Sequence, residues 1–190
     1  YDAYAADGNV HGTAIANGGG WFSSATATAN VGGIAGYNSS TIRRTYSILV
    51  VTGTANASGA WSNNSNRNLG GHTGKRSGGY YSSNYWLRTA THNASLSDTG
   101  DDGNVSGIST RSDAQLKQQS TFSGWNFSTI WSIDEGNAYP VFQWQGPPVP
   151  SGYSISGTVY YNGGTTPIGS GLTIALAING TYSTSTATDG

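Results

Sequence analysis

The sequence predicts an all-β fold: a β-solenoid of repeats, an aromatic segment that caps it, and then part of a β-sandwich. Composition supports this first, because only 9% of the 190 residues are charged, against about 25% in an average soluble domain. Long charged stretches that would form helices are absent, and 29 glycines separate short runs of the kind that form strands. The 12 tyrosines and 6 tryptophans supply apolar surface to bury, which argues against a disordered chain.

A glycine-rich phrase that occurs twice is the second observation. "NVGGIAGY" at 30–37 returns as "NLGGHTGK" at 68–75, so that each glycine of the first phrase has an equivalent in the second. Upstream, the run that begins at Tyr4 parallels the run that begins at Tyr46. Periods of about 20–50 residues are typical of stacked repeats. The repeat glycines are Gly32, Gly33, Gly36, Gly70, Gly71 and Gly74.

Each repeat contains several short strand-like runs and no helical periodicity, so we expect β-solenoid coils over residues 1–108. A propeller would need four recognisable strands in every unit and several more units. In a coil, glycine lets the backbone turn tightly and lets the next coil approach. The second copy has His72-Thr73 and Lys75-Arg76 where the first has other residues. A role beyond architecture is therefore expected there first.

Residues 109–145 are predicted to form an aromatic capping segment, the third observation. Within it one short helix is expected, with Ser112 as its N-cap and Asp113 in its first turn. The last coil of a solenoid exposes its core and an unpaired edge, and bulky side chains can cover both. The predicted cap aromatics are Trp125, Phe127, Trp131, Tyr139 and Trp144.

A proline-rich linker at 146–152, "GPPVPSG", marks the clearest domain boundary. Beyond it, residues 153–190 alternate as strands do at 154–160, 172–178 and 182–186. This length is less than half of a usual β-sandwich. The pattern predicts a partial Ig-like sandwich whose remaining strands are missing or come from a neighbour. The start of the chain resembles mid-domain sequence, so we expect a processed subunit or a fragment.

These residues also carry a family likeness. The two glycine phrases, with the polar turns and tyrosines that follow them, resemble the GLUG repeat of bacterial and archaeal surface proteins and adhesins. The run "GWNFSTIWSIDEGNAYP" looks like the C-terminal region that commonly follows those repeats. The likeness covers residues 1–145, and the last module resembles bacterial Ig-like or carboxypeptidase-regulatory-like domains. The resemblance implies an extracellular, repetitive, β-rich stalk or adhesive segment, and it implies no catalytic residue.

Candidate binding and catalytic residues are few. The glycine phrases lack the helix that a phosphate-binding loop requires, so nucleotide binding is not expected. The turn "SDTGDDGN" offers oxygen ligands of the kind that Ca²⁺ takes, although it has fewer carboxylates than calcium usually requires; the alternative is a solvated turn. Its candidate ligands are Asp98, Asp101, Asp102 and Asn104. Asp134 and Glu135 would point to opposite faces of a strand, and the three histidines are scattered. The absence of cysteine excludes thiolate metal sites and disulfides.

The function expected from the sequence is non-enzymatic: a secreted or cell-surface structural or adhesive protein, used as a stalk or as a filament or matrix subunit. Its partners would be other copies of itself, neighbouring surface proteins or glycans. A net charge of −1 gives no reason to expect nucleic acid, and no apolar run is long enough to span a membrane. The alternatives are a glycan-binding module, a polysaccharide-active β-helix enzyme, or an ice-binding protein. Assembly by strand exchange is a further expectation.

Overall fold

The computed structural model of the chain describes residues 2–6 and 8–148, and the backbone of four strands between 160 and 186. The chain divides into two compact units, Tyr1–Ser151 and Gly152–Gly190. Most of the described residues lie in strands, so the all-β prediction is confirmed. The strands of the first unit are β1 (Ala3–Ala5), β2 (Asn9–Gly32), β3 (Ala35–Asn38), β4 (Ile42–Arg43), β5 (Thr45–Ser47), β6 (Val50–Arg76), β7 (Tyr81–Ser82), β8 (Asn84–Leu87), β9 (Ser97–Thr99), β10 (Ile108–Arg111), β11 (Trp131–Ser132) and β12 (Val141–Phe142).

The first unit is organised by a parallel sheet in the order β1-β5-β8-β10. Tyr4 pairs with Tyr46, and Tyr46 with Tyr85, so equivalent residues of the sequence repeats lie side by side. We call the segments that begin at β1, β5 and β8 the first, second and third pass of the chain. The tyrosines lie on one face, which we call the tyrosine face, and the rings of Tyr4 and Tyr46 stack there with their planes nearly parallel and their centroids 5.3 Å apart.

Two long strands, β2 and β6, pair in parallel for most of their length and form a feature that we call the arm (residues 9–32 and 50–70). We call the part of each strand that runs to the tip of the arm the outgoing leg, and the part that runs back the returning leg. On the outgoing leg the bonded partners Thr13 and Thr54 differ by 41 in sequence number, and on the returning leg Asn30 and Asn68 differ by 38. The irregularities in register lie at the tip, between Asn17 and Ser24. The spacing of the two glycine phrases is thus the pairing register of the returning leg.

The outgoing and returning legs of the arm pack against each other through small side chains. Side chains alternate between the interior and solvent, as they do along strands. A Cβ on Gly12 would lie 2.4 Å from Cγ2 of Val31, and one on Gly53 would lie 2.8 Å from Cδ2 of Leu69. The legs approach so closely that only glycine fits at these points. Buried alanines and a valine fill the first-pass interior: Ala25, Ala27, Ala29 and Val31.

The repeat glycines permit close approach. A Cβ on Gly71 would lie 1.9 Å from Cε3 of the buried Trp86, and one on Gly33 would lie 2.2 Å from Oγ of Ser47. Gly32, Gly70 and Gly74 face backbone atoms at similarly short range. The expectation of close approach is therefore confirmed. None of the six repeat glycines has a positive φ, so none of them adopts the left-handed conformation that glycine tolerates best.

The third pass has no arm. Its strand β9 pairs with β6 only near Gly70 and Thr73. A short loop at 88–96 replaces the arm, and it contains Asn93 with a φ of 55°. The Asn93 side chain donates to Leu49 O at 2.8 Å, while its Oδ1 accepts from Val51 N at 3.0 Å. Asn93 therefore takes the place of a strand at the base of the arm.

The aromatic segment packs along the tyrosine face of the sheet, from the first pass to the third, and not on the end of the stack as predicted. Trp131 Nε1 donates to Asp2, and Trp125 Nε1 donates to Ser83 O. Covering the tyrosine face removes the large apolar rings of Tyr4, Tyr46 and Tyr85 from water, which stabilises the fold. The shared cluster comprises Tyr46, Tyr85, Leu87, Leu116, Phe122, Trp125 and Trp131, with Tyr4, Phe127, Tyr139 and Phe142 partly buried against it.

Two details of this segment were predicted with different success. The helix α1 (Asp113–Leu116) begins at Ser112, whose side chain accepts from Gln115 N in a capping box. The predicted N-cap and helix are confirmed. Trp144, the fifth predicted cap aromatic, is 80% exposed and stacks on Phe142, so it adds little to the cover of the tyrosine face.

The second unit is described by four strands: β13 (Tyr160–Tyr161), β14 (Thr166–Pro167), β15 (Thr173–Ile178) and β16 (Thr181–Thr186). β13 pairs with β14 and β15 with β16, both antiparallel. The predicted strands at 172–178 and 182–186 are confirmed as this second hairpin. The predicted strand at 154–160 lies outside the described residues except for its last residue. An Ig-like identity stays a prediction.

Candidate functional site

The tip of the arm exposes two aromatic rings. Phe22 is 94% exposed and Trp61 is 81% exposed, and their rings stack with centroids 6.3 Å apart and an angle of 28° between planes. The register brings the two rings together, because each lies at the tip of its own pass. Single exposed apolar side chains are common, but two that stack on each other form a patch of the kind that marks contact surfaces. We treat this aromatic tip, Phe22 and Trp61, as the candidate binding element.

The tip is shaped by local turns. Ser23 Oγ donates to Gly20 O at 2.8 Å and also accepts from Gly20 N. In the second pass Gly59 has a φ of +72°, which glycine adopts without strain. The sequence repeat indicated that the two tips are equivalent, because Trp21 and Trp61 stand at similar places before the two glycine phrases. It gave no sign that Phe22 would be exposed, because an isolated aromatic residue is more often buried.

The outer surfaces of the arm are polar and nearly free of charge. Side chains of the first and second passes bond to each other on these surfaces: Thr54 to Thr13, Ser58 to Asn17, and Asn68 to Asn30. Arg67 is the only Asp, Glu, Lys or Arg in residues 9–32 and 50–70. The arm thus presents hydroxyl and amide groups, which suit hydrogen bonding to polar uncharged partners.

His72 lies in the core of the second pass. It is fully buried, with Nε2 2.8 Å from Thr45 Oγ1 and Nδ1 2.9 Å from Thr73 Oγ1. Thr45 in turn donates to Asn84 Oδ1. Burial lowers the pKa of His72 to about 3, so the ring is neutral at ordinary pH. The sequence suggested a role beyond architecture at this position. In the structure the His72 ring instead makes contacts within the core.

The candidate calcium ligands have partners within the chain. Asp98 is buried and accepts from Trp86 Nε1 at 2.7 Å and from Val105 N. Burial raises the pKa of Asp98, although these bonds oppose the shift. Asp101 accepts from the amide of Arg76, and Asp102 lies 3.4 Å from its Nε.

The fourth candidate, Asn104, accepts from the amide of Asp98 at 3.3 Å. Among the described residues no three His, Cys, Asp or Glu side chains are grouped so as to hold a metal ion. Calcium binding at this turn stays a prediction, and its site would first have to break the contacts of Asp98.

The remaining carboxylates of the described residues also accept from the chain. Asp2 binds Arg44 at 2.6 Å, and this bond lowers the pKa of Asp2. Asp113 pairs with Lys117 at 3.0 Å. Glu135 accepts from the amide of Gln119, and Asp134 from the side chain of Asn137. In the part of the chain that the structure describes, each carboxylate therefore has a structural partner.

Two shallow cavities open on the surface of the first unit. One, of about 310 Å³, is lined by Arg76 with Tyr80 and Tyr81. The other, of about 340 Å³, lies beside Asp98 and Arg111. Each holds at most one carboxylate among its lining residues. Paired carboxylates, which glycoside hydrolysis usually requires, do not line either cavity.

Comparison of the chain with protein-family models, with curated proteins and with solved structures found no match. None of the helices in the described residues has the length and apolar character that crossing a bilayer requires. Function is therefore inferred from the geometry of this chain, above all from the arm and its aromatic tip.

Proposed function

We propose that the chain is a non-enzymatic structural or adhesive protein of the extracellular surface, acting as a stalk or as a subunit of a filament or matrix. The single observation that carries this proposal is the arm: two stacked passes, almost free of charge, that end in an exposed aromatic pair. Such a feature has no evident use inside the fold. It is well suited to contact with something outside it.

A β-solenoid of GLUG-like repeats is the architecture that we propose for residues 1–108. In its support, equivalent strands of successive passes pair in parallel, with a register that follows the sequence repeat. Ladders of this kind are rigid without needing catalytic or charged groups. The absence of cysteine suits a protein exported by bacteria without oxidative folding.

Glycan binding is the second candidate function, and the aromatic tip favours it. Trp61 and Phe22 offer flat apolar faces, and Asn63 and Asn64 beside them are exposed. Apolar ring faces next to amide groups match the alternation of C–H faces and hydroxyl groups on a pyranose. This candidate deepens the adhesive proposal, since a surface adhesin needs a target.

A panel of immobilised and soluble glycans tests both. We expect the protein to bind at least one glycan or glycan-coated surface without releasing new reducing ends. Phe22→Ala combined with Trp61→Ala should weaken that binding at least tenfold. Trp144→Ala is the matched control, because it also removes an exposed tryptophan but lies outside the arm.

Two results would count against these proposals in different ways. Release of reducing ends would overturn the non-enzymatic proposal and favour the polysaccharide-active alternative. Equal weakening by Trp144→Ala and by the tip variant would show that binding does not depend on the tip.

A further inference from the structure

One edge of the arm pairs with no strand in the part of the chain that the structure describes. In β6 the amide of Val50 donates to Gly8 O of the first pass, while the amide of Val51 donates the other way, to Asn93. Amides alternate in direction along a strand, so those of Gly53 and Ala55 face away from β2. We call this side of β6, from Thr52 to Leu69, the outer edge. No strand of the described residues pairs with it, because the third pass has no arm.

Among the described residues, nothing gives the outer edge the usual protection of sheet edges along most of its length. Natural edges are blocked by charged side chains, prolines, bulges or a covering loop. Residues 52–69 contain no proline, and Arg67 is their only charged residue. Ser65 Oγ accepts from Ala57 N and so satisfies one amide, and Asn93 covers only the base. The edge is long and carries a single charge, and strands readily add to edges of this kind.

The steric arrangement selects the occupant. If a second copy paired its arm in parallel with the outer edge, the rest of that copy would have to occupy the space of the third pass. That space is taken, because β9 pairs with β6 near Gly70 and Thr73. If the second copy is related by a two-fold axis, its arm is antiparallel to the first, and the rest of that copy lies beyond the tip of the first arm. The outer edge of one copy then pairs with the outer edge of the other, as in closed symmetric dimers. On its other side, β6 already pairs with β2, a strand of similar composition.

We propose that the outer edge of β6 pairs with the outer edge of a second copy of this chain, antiparallel and about a two-fold axis. The two arms then form one continuous pair of sheets with a body at each end. This inference rests on the proposed structural role and names its partner. Arg67 is the only charged residue on each edge, so the two edges meet with little repulsion, and Thr, Ser and Asn can bond across the junction as they do between β2 and β6.

Single cysteines test the arrangement directly, because the chain has none of its own. Whichever of Asn56→Cys and Thr54→Cys lies nearer the two-fold axis should form an intermolecular disulfide rapidly under mild oxidation, and a mixture of the two variants should do so if the axis lies between them. Their register partners Ile15→Cys and Thr13→Cys are the matched controls. They lie one strand further in, which adds about 4.8 Å on each side and puts the sulfurs out of bonding range.

Sedimentation over a hundredfold concentration range measures the association itself. We expect the 19.6 kDa chain to approach twice its mass. Asn56→Lys should raise the dimer dissociation constant at least tenfold, while Ile15→Lys should not. A monomer at every concentration, or equal crosslinking by the control cysteines, would overturn the proposal. Neither result would bear on glycan binding, so failure here is distinguishable from failure of the proposed function.

Discussion

His72 shows how a single side chain can make the fold sensitive to pH. Its ring is fully buried and bonded to Thr45 and Thr73, and burial lowers its pKa to about 3. In the unfolded chain a histidine has a pKa of about 6.5. Between these two values the unfolded state binds a proton that the native state does not. The free energy of unfolding is therefore expected to fall as the pH drops from about 6.5 towards 3.

The prediction is a slope of up to about 1.4 kcal/mol per pH unit from His72 in that window. His72→Gln should flatten the slope, whatever it does to overall stability, because glutamine does not titrate. His11→Gln, at an exposed position of the arm, should keep it. Denaturant unfolding at a series of pH values measures the slopes. An unchanged slope in His72→Gln would contradict the prediction.

At the scale of elements, glycine sets how closely neighbouring strands and rings approach. The sequence could predict which residues are equivalent in successive passes, because a close approach needs glycine at the same place each time. It could not predict that Gly71 lies against Trp86, since only the fold brings these two distant positions into contact. Likewise the pattern "SDTGDDGN" is typical of a polar turn, and nothing in it shows that Asp98 is buried beside Trp86.

Gly71→Ala should destabilise the protein by about 1–3 kcal/mol or more. Its Cβ would lie 1.9 Å from the ring of Trp86, which is fully buried and donates its Nε1–H to Asp98, so the ring would have to shift within the core. Gly20→Ala is the control, because a Cβ there meets nothing within 4 Å, and we expect a change within about 0.5 kcal/mol. Denaturant midpoints measure both. Equal effects at the two positions would show that close packing is not the reason for Gly71.

At the scale of the whole first unit, the aromatic segment joins the first pass to the last. Trp131 is fully buried, donates to Asp2 and packs with its ring centroid 4.3 Å from that of Trp125. The sequence predicted an aromatic cluster at 109–145 but placed it on the end of the stack. Alternation identifies which side chains are buried, and it carries no information about which face buries them. The same limit explains why exposed Trp144 could not be told from its buried neighbours.

Trp131→Ala should cost about 3–5 kcal/mol, because it removes a buried ring and leaves a cavity. Trp144→Ala, at 80% exposure, should change stability by no more than about 0.5 kcal/mol. Near-ultraviolet circular dichroism during denaturation follows both variants. A small loss in Trp131→Ala would mean that the segment contributes little to holding the first unit together.

The change of offset along the arm, from 41 at the Thr13–Thr54 pair to 38 at the Asn30–Asn68 pair, has a consequence for how such chains can vary. The second tip is shorter than the first, yet both legs keep a regular register with their neighbours. Differences in length are therefore absorbed at the tip. A peptide inserted between Ser58 and Ser62 would be displayed at the far end of the arm with the pairing on either side unaltered. Substitutions or insertions in those few residues alone could therefore change what the tip of the arm contacts.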